Sequence, residues 1–170
     1  MRTVLLVSIF LLMALGCAYV RPDLKKDGEE TTGFELNLDF LQATNEKTKL
    51  RIQLELDSGN YFISPLSTDS MFGKLQLQLL GNEVQLDGEW DEHPRSNGSW
   101  DPHAEAMVRF VNQSTAFHVP LATPQASRWR SAGKLFFVLE PMCIPYAVDF
   151  EMEESGNGPE VSNVQVQRLH

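Results

Sequence analysis

The chain has 170 residues, with 23 acidic side chains against 14 basic ones and a formal net charge of −9 at pH 7. An acidic chain is repelled by nucleic-acid phosphates and by anionic lipid headgroups, which excludes both as expected partners of the folded domain. The two cysteines, Cys17 and Cys143, form no Cys-x-x-Cys motif, which excludes a redox pair and a thiolate metal site.

The first segment predicts export. Arg2 is followed by an almost unbroken apolar run from Val4 to Leu15 and then by the small residue Gly16. A positive start, an apolar run and a small-residue boundary are typical of a secretory signal peptide. The run is shorter than the ~20 residues that a membrane-spanning helix needs. We therefore predict a signal peptide over residues 1–16.

The end of this segment, Ala14-Leu15-Gly16-Cys17, resembles the lipobox of bacterial lipoproteins, with its first two residues in exchanged order. The resemblance covers residues 1–17 only. It implies that Cys17 carries a diacylglyceryl thioether and an acylated amine, which together anchor a protein stably in a membrane. It also implies a location in the bacterial cell envelope, with the membrane as a partner through the lipid, and no other cofactor is predicted. The alternatives are an ordinary secreted protein, cleaved after Gly16 or Ala18, and a protein held by the uncleaved segment.

The rest of the chain divides into a tether and a domain. Residues 17–32 are polar and charged and cannot bury enough apolar surface to fold, which predicts a flexible tether behind the lipid. Residues 33–170 are enough for one domain with a substantial core and too few for two.

Alternation of apolar and polar residues predicts strands through most of the domain, because one row of side chains then enters a core and the other faces water. Such runs occur at 34–40, 50–57, 75–79, 148–152 and 164–166. Gly81-Asn82 joins the third run to Val84 and Leu86, which predicts a hairpin. A second hairpin is predicted from Met107–Val111 and Ala116–Leu121, with a helix capped by Asp101 as the alternative for its first arm.

The segment Thr123–Gly133 has a capping residue, a first-turn proline and a terminal glycine, which predicts a short helix. Leu135–Leu139 is continuously apolar and predicts a central strand buried on both faces. The apolar neighbours of Cys143 predict a buried structural thiol. About eight strands with one short helix predict an all-β antiparallel sandwich, immunoglobulin-like or similar, with a β-barrel as the alternative.

The loop over residues 87–105 holds the candidate site, since Trp90-Asp91-Glu92-His93 recurs as Trp100-Asp101-Pro102-His103. Imidazole and carboxylate groups suit zinc, which makes His93 and His103 candidate metal ligands. Flat tryptophan faces beside carboxylates suit a sugar or a peptide instead. The candidate ligand-binding residues are Trp90, Asp91, His93, Trp100, Asp101 and His103. The alternative is that the tryptophans pack on the sheet and the charged residues are solvated.

The sequence contains neither a Gly-x-Ser-x-Gly elbow nor a phosphate-binding glycine loop. We therefore expect a binding or assembly module of the cell envelope rather than an enzyme, with another envelope protein or a glycan as its partner. One alternative is a small metal-dependent hydrolase that uses the 87–105 loop. The other is a purely structural envelope subunit.

Overall fold

A computed structural model describes residues 32–41, 48–68, 72–102, 105–124 and 128–170. The predicted signal peptide, Cys17 and the tether up to residue 31 lie outside these residues, as does His103. Twelve strands and no helix are present in the described part of the chain. These residues accordingly contain no helix that is long and apolar enough to cross a membrane.

The strands are short at the start of the candidate loop and long toward the C-terminus. Their bounds are β1 Phe34–Leu41, β2 Lys49–Leu56, β3 Phe62–Ile63, β4 Gln76–Leu80, β5 Gln85–Leu86, β6 Asp91–His93, β7 Gly98–Asp101, β8 Ala106–Val111, β9 Thr115–Ala122, β10 Trp129–Leu139, β11 Ile144–Glu154 and β12 Pro159–Arg168.

The described strands form three antiparallel sheets. The first has the order β1-β2-β9, and the free side of β9 pairs with β6 and with β5 at different points along its length. The second has the order β12-β11-β10-β4, and the third has the order β3-β8-β7. The sheets do not close into a barrel in the described residues. The all-β antiparallel fold predicted from the alternation is therefore confirmed, and it is consistent with a β-sandwich.

One core lies between the inward faces of the first two sheets. β2 supplies Leu50, Ile52 and Leu54 from one side, and β10 supplies Leu135 and Phe137 from the other, all with 0% exposure. Burying each such side chain stabilises the fold by ~1.5–3 kcal/mol relative to its exposure. The alternation that predicted these strands is thus the pattern by which they fill the core.

Both predicted hairpins are wrong in their pairing. β4 pairs with β10 and β5 pairs with β9, so the chain changes sheets at Gly81, whose φ is +94°. β8 pairs with β3 and β7, and β9 pairs with β2, β5 and β6. In each case a tight-turn sequence carries the chain from one sheet to another instead of joining two paired strands.

The predicted short helix is also wrong where the structure describes it. Trp129–Gly133 is the first half of the eleven-residue strand β10, in which buried and less buried residues alternate. Gly133 does not end a helix. It leaves room for the ring of Phe150, because a Cβ atom on Gly133 would lie 2.3 Å from Phe150 Cζ.

The C-terminal predictions hold in part. β10 is a central strand between β11 and β4, but only one of its faces is fully buried, while Phe136 and Val138 are half-buried. Cys143 is exposed, and the prediction of a buried thiol is wrong. Its backbone, with φ of +51°, forms the turn between β10 and β11. Tyr146 and Ile144 on β11 reach or contact the core, whereas Met142 and Cys143 lie exposed in the turn.

Candidate functional site

The short strand β6 divides its three side chains between two faces of the first sheet. Asp91 pairs with His118 on β9, and His93 pairs with Ala116. Directly paired residues point to the same face of a sheet, and alternate residues of one strand do so too. Asp91, His93 and His118 therefore share the outward face, while Glu92 points inward beside the fully buried Phe117.

The three outward side chains form what we term the imidazole–carboxylate cluster. Asp91, His93 and His118 each offer one metal-ligating atom, and these atoms all lie within 4.8 Å of one another. His93 Nε2 is 2.7 Å from Asp91 Oδ2. The imidazole rings of His93 and His118 are 4.9 Å apart between centroids and tilted by 40°. The cluster thus gathers three groups that can bind a divalent transition metal.

The electrostatics of the cluster follow from these contacts. The hydrogen bond from His93 holds the pKa of Asp91 below its usual value. The pKa of His118 is also lowered, chiefly by partial burial and next by the neighbouring His93. Arg51 on β2 pairs directly with His118, and its guanidinium is bound by Asp39 on β1. Asp39, Arg51, His118 and Asp91 therefore form a row of acidic and basic side chains across strands β1, β2, β9 and β6 on this face.

Glu92 lies on the inward face and is only 2% exposed. Its carboxyl accepts a hydrogen bond from Ser64 Oγ at 3.0 Å and another from the backbone N–H of Ser96 at 3.2 Å. Arg109 Nη1 donates to the carbonyl of Ser96 at 2.5 Å. Glu92 and Arg109 thereby hold both backbone groups of Ser96 and fix the segment that follows β6.

That segment forms one wall of a groove of about 300 Å³. The lining residues are Pro94, Arg95, Ser96, Asn97, Gly98, Ser99, Phe110, Val111, Asn112, Gln113 and Thr115. Phe110 is 40% exposed and is held by an edge-on contact with Tyr61 at 5.5 Å. Ser96 Oγ is buried, and no described residue hydrogen-bonds to it. The groove therefore combines an aromatic ring with amide and hydroxyl groups.

The structure separates the residues of the repeated motif. Trp90 is half-buried against the core, with its ring 6.1 Å from that of Phe117. Trp100 and Asp101 lie on β7, which pairs with β8 rather than with any strand of the first sheet. Trp100 is 61% exposed. The first copy of the motif thus contributes Asp91 and His93 to the cluster, whereas Trp100 of the second copy lies on the third sheet.

The sequence reasoning missed His118 and the groove. The alternating sequence around His118 predicts an outward strand position, which it occupies, but its proximity to Asp91 depends on the pairing of β6 with β9. The alternation in Phe117-His118-Val119 indicates the outward face and carries no information on that pairing. A scan against models of protein families matches none, and a search of curated proteins finds no significant relative.

Proposed function

We propose that this chain is an exported, lipid-anchored binding module of the bacterial cell envelope and that its groove binds a neutral glycan. The observation that carries the proposal is the lining of the groove. Among the lining residues, Arg95 alone carries a charge, while amides and hydroxyls supply most of the polar groups. A neutral polyol needs many weak donors and acceptors rather than a compensating charge.

Phe110 gives the groove a flat apolar surface on which a sugar ring can stack. Its position is fixed from below by Tyr61 and along the chain by strand β8. Asn112 and Gln113 follow at the end of the strand and offer both donors and acceptors. This combination of one aromatic face with orienting polar groups supports a sugar over an ion or a purely apolar ligand.

Ser96 adds a polar group that the described residues leave without a partner. A buried hydroxyl without a hydrogen bond is unfavourable by about 1–3 kcal/mol. Because Ser96 also lines the groove, a rotation of its side chain about χ1 would turn Oγ toward a bound sugar hydroxyl and relieve this cost. The volume of about 300 Å³ lies at the lower end of the range for small-molecule sites, ~300–1,000 Å³.

The test is an array of neutral oligosaccharides probed with the full chain and with three variants. We expect binding by the wild type, loss in Phe110→Leu, which keeps apolar volume but removes the flat ring, and weakening in Gln113→Ala. Gln165→Ala is the matched control, since Gln165 is an equally polar, exposed residue on β12, away from the groove. An array without a bound oligosaccharide, or binding that Phe110→Leu leaves unchanged, would contradict the glycan proposal.

The anchoring part of the proposal rests on the sequence of residues 1–17 and has its own test. Cys17→Ser should move the protein from the membrane fraction to the soluble fraction and abolish labelling with a fatty-acid analogue. Cys143→Ser is the control, because Cys143 is the other cysteine of the chain and lies exposed in a turn. Unchanged fractionation and labelling in Cys17→Ser would show that the lipid anchor is absent.

A further inference from the structure

We propose that Asp91, His93 and His118 bind one divalent transition-metal ion of the zinc class on the outward face of β6 and β9. The proposal does not depend on the glycan groove, which lies beyond His93 in the segment that begins at Pro94. The sequence predicted His93 and His103 as the metal ligands. The structure instead brings His93 close to His118, which lies on the neighbouring hydrogen-bonded strand.

The distances between the donors favour such a site. The three ligating atoms lie within 4.8 Å of one another, and His93 Nε2 is 2.7 Å from Asp91 Oδ2. In a tetrahedral zinc site, bonds of ~2.0–2.1 Å place neighbouring ligand atoms roughly 3.3 Å apart. The required change is therefore small for side chains that are 55% exposed at His93 and 64% exposed at Asp91.

The backbone already provides the register that the site needs. Asp91 and His118 are directly paired, and His93 lies two residues along the same strand, opposite the small Ala116. Side chains of a directly opposite pair have Cβ atoms ~4.5–5.5 Å apart, which suits two ligands of one ion. Donors on paired strands are held more accurately than donors on loops, which lowers the entropy lost when the ion binds.

The donor set selects the kind of ion. Two imidazoles and one carboxylate suit zinc and copper, whereas magnesium and calcium require oxygen ligands. Three protein ligands leave a fourth position for water or another molecule. Lys49 and Arg51 act electrostatically on His118, and Asp39 binds the guanidinium of Arg51. Three protein ligands with an open fourth position predict weaker binding than in a closed, four-ligand structural zinc site.

The first test is calorimetric titration of the full chain with zinc chloride near neutral pH, with magnesium chloride as the negative control. We expect one zinc site and no magnesium binding. His118→Ala and His93→Ala should each weaken zinc binding by at least about 10–100-fold, the loss that even an outer-shell partner causes. His170→Ala, which removes an exposed histidine at the C-terminus, should leave the affinity unchanged.

A second measurement uses the wild type alone and does not depend on the folding of any variant. Zinc should protect His93 and His118, but not His170, from modification by diethyl pyrocarbonate, as read by peptide mass spectrometry. Absence of zinc binding, or equal modification of all three histidines with and without zinc, would overturn the proposal. Binding that is lost in His103→Ala and retained in His118→Ala would overturn it as well, in favour of the predicted pairing of His93 with His103.

Discussion

The imidazole–carboxylate cluster and the groove adjoin each other at β6, but they are built differently. The cluster lies on paired strands, whereas the groove is lined largely by the segment from β6 into β7 and by the segment from the end of β8 to β9. The cluster presents two imidazoles and a carboxylate on an open sheet face. The groove presents amides, hydroxyls and one aromatic ring in a concave surface. We accordingly propose ligands of different chemistry for the two regions, an ion for the first and a neutral polyol for the second.

Glu92 connects the two regions, and its substitution should have the largest effect. Glu92→Ala removes the acceptor for the buried Ser64 Oγ and for the Ser96 backbone N–H. Leaving such groups unsatisfied should lower the free energy of unfolding by about 3 kcal/mol. Urea denaturation measures this, with the exposed Asp91→Ala as control, for which a change within about 0.5 kcal/mol is expected. Equal unfolding midpoints for Glu92→Ala and the wild type would show that Glu92 is not a structural link.

Substitution of His118 should separate the two regions. His118→Ala should weaken zinc binding by at least about 10–100-fold while leaving oligosaccharide binding unchanged, because its ring lies on the outward face and does not line the groove. Parallel titrations of one preparation with zinc and with an oligosaccharide provide the measurement. Loss of both activities with an unchanged unfolding midpoint would mean that the regions form a single site.

Ser96→Ala should weaken oligosaccharide binding and leave zinc binding unchanged, and its effect should be smaller than that of His118→Ala. The substitution removes the hydroxyl that lacks a described partner, so the free energy of unfolding should stay the same or rise by up to about 1 kcal/mol. Oligosaccharide binding should weaken by about fivefold, which corresponds to the loss of one hydrogen bond of ~1 kcal/mol. Zinc binding should not change. Unaltered oligosaccharide affinity would exclude Ser96 from the binding surface.

The smallest expected effect is at Glu151, an outward carboxylate on the second sheet that belongs to neither region. Hydrogen bonds from Arg130 Nη2 at 2.5 Å and Asn163 Nδ2 at 2.7 Å lower the pKa of Glu151. A carboxyl with a lowered folded pKa adds stability above its unfolded pKa, and this is lost as the pH falls through the folded value. In Glu151→Gln, the free energy of unfolding should therefore fall less steeply than in the wild type as the pH is lowered into the acid range. Zinc and oligosaccharide binding should be unaltered. An acid limb as steep as that of the wild type would contradict this.

The sequence predicts which residues enter the core better than which strands pair. The alternation in β2 and β11 places Leu50, Ile52 and Phe150 inside, as observed. Pairing depends on distant segments, so neither the transfer of the chain at Gly81 nor the opposition of Asp91 and His118 is visible locally. The helix prediction for Thr123–Gly133 was wrong because it relied on a capping residue and a terminal glycine. The structure instead shows the period-two burial of a strand from Trp129 onward.

The candidate site could be predicted only in part for the same reason. The repeated motif identified Asp91 and His93 as candidate site residues, and both belong to the cluster. Their third partner comes from β9, through a pairing of only three residues of β6. The groove is assembled from two segments whose polar residues, such as Asn97 and Asn112, are ordinary turn residues in sequence.

The central claim, that the groove binds a neutral glycan, is tested most directly by titrating isotope-labelled full chain with malto-, cello- and manno-oligosaccharides and recording backbone amide resonances. At least one of these sugars should shift the amides of residues 94–99 and 110–115 while those of the imidazole–carboxylate cluster stay in place. Shifts confined to other strands, or spectra unchanged by every sugar, would contradict it.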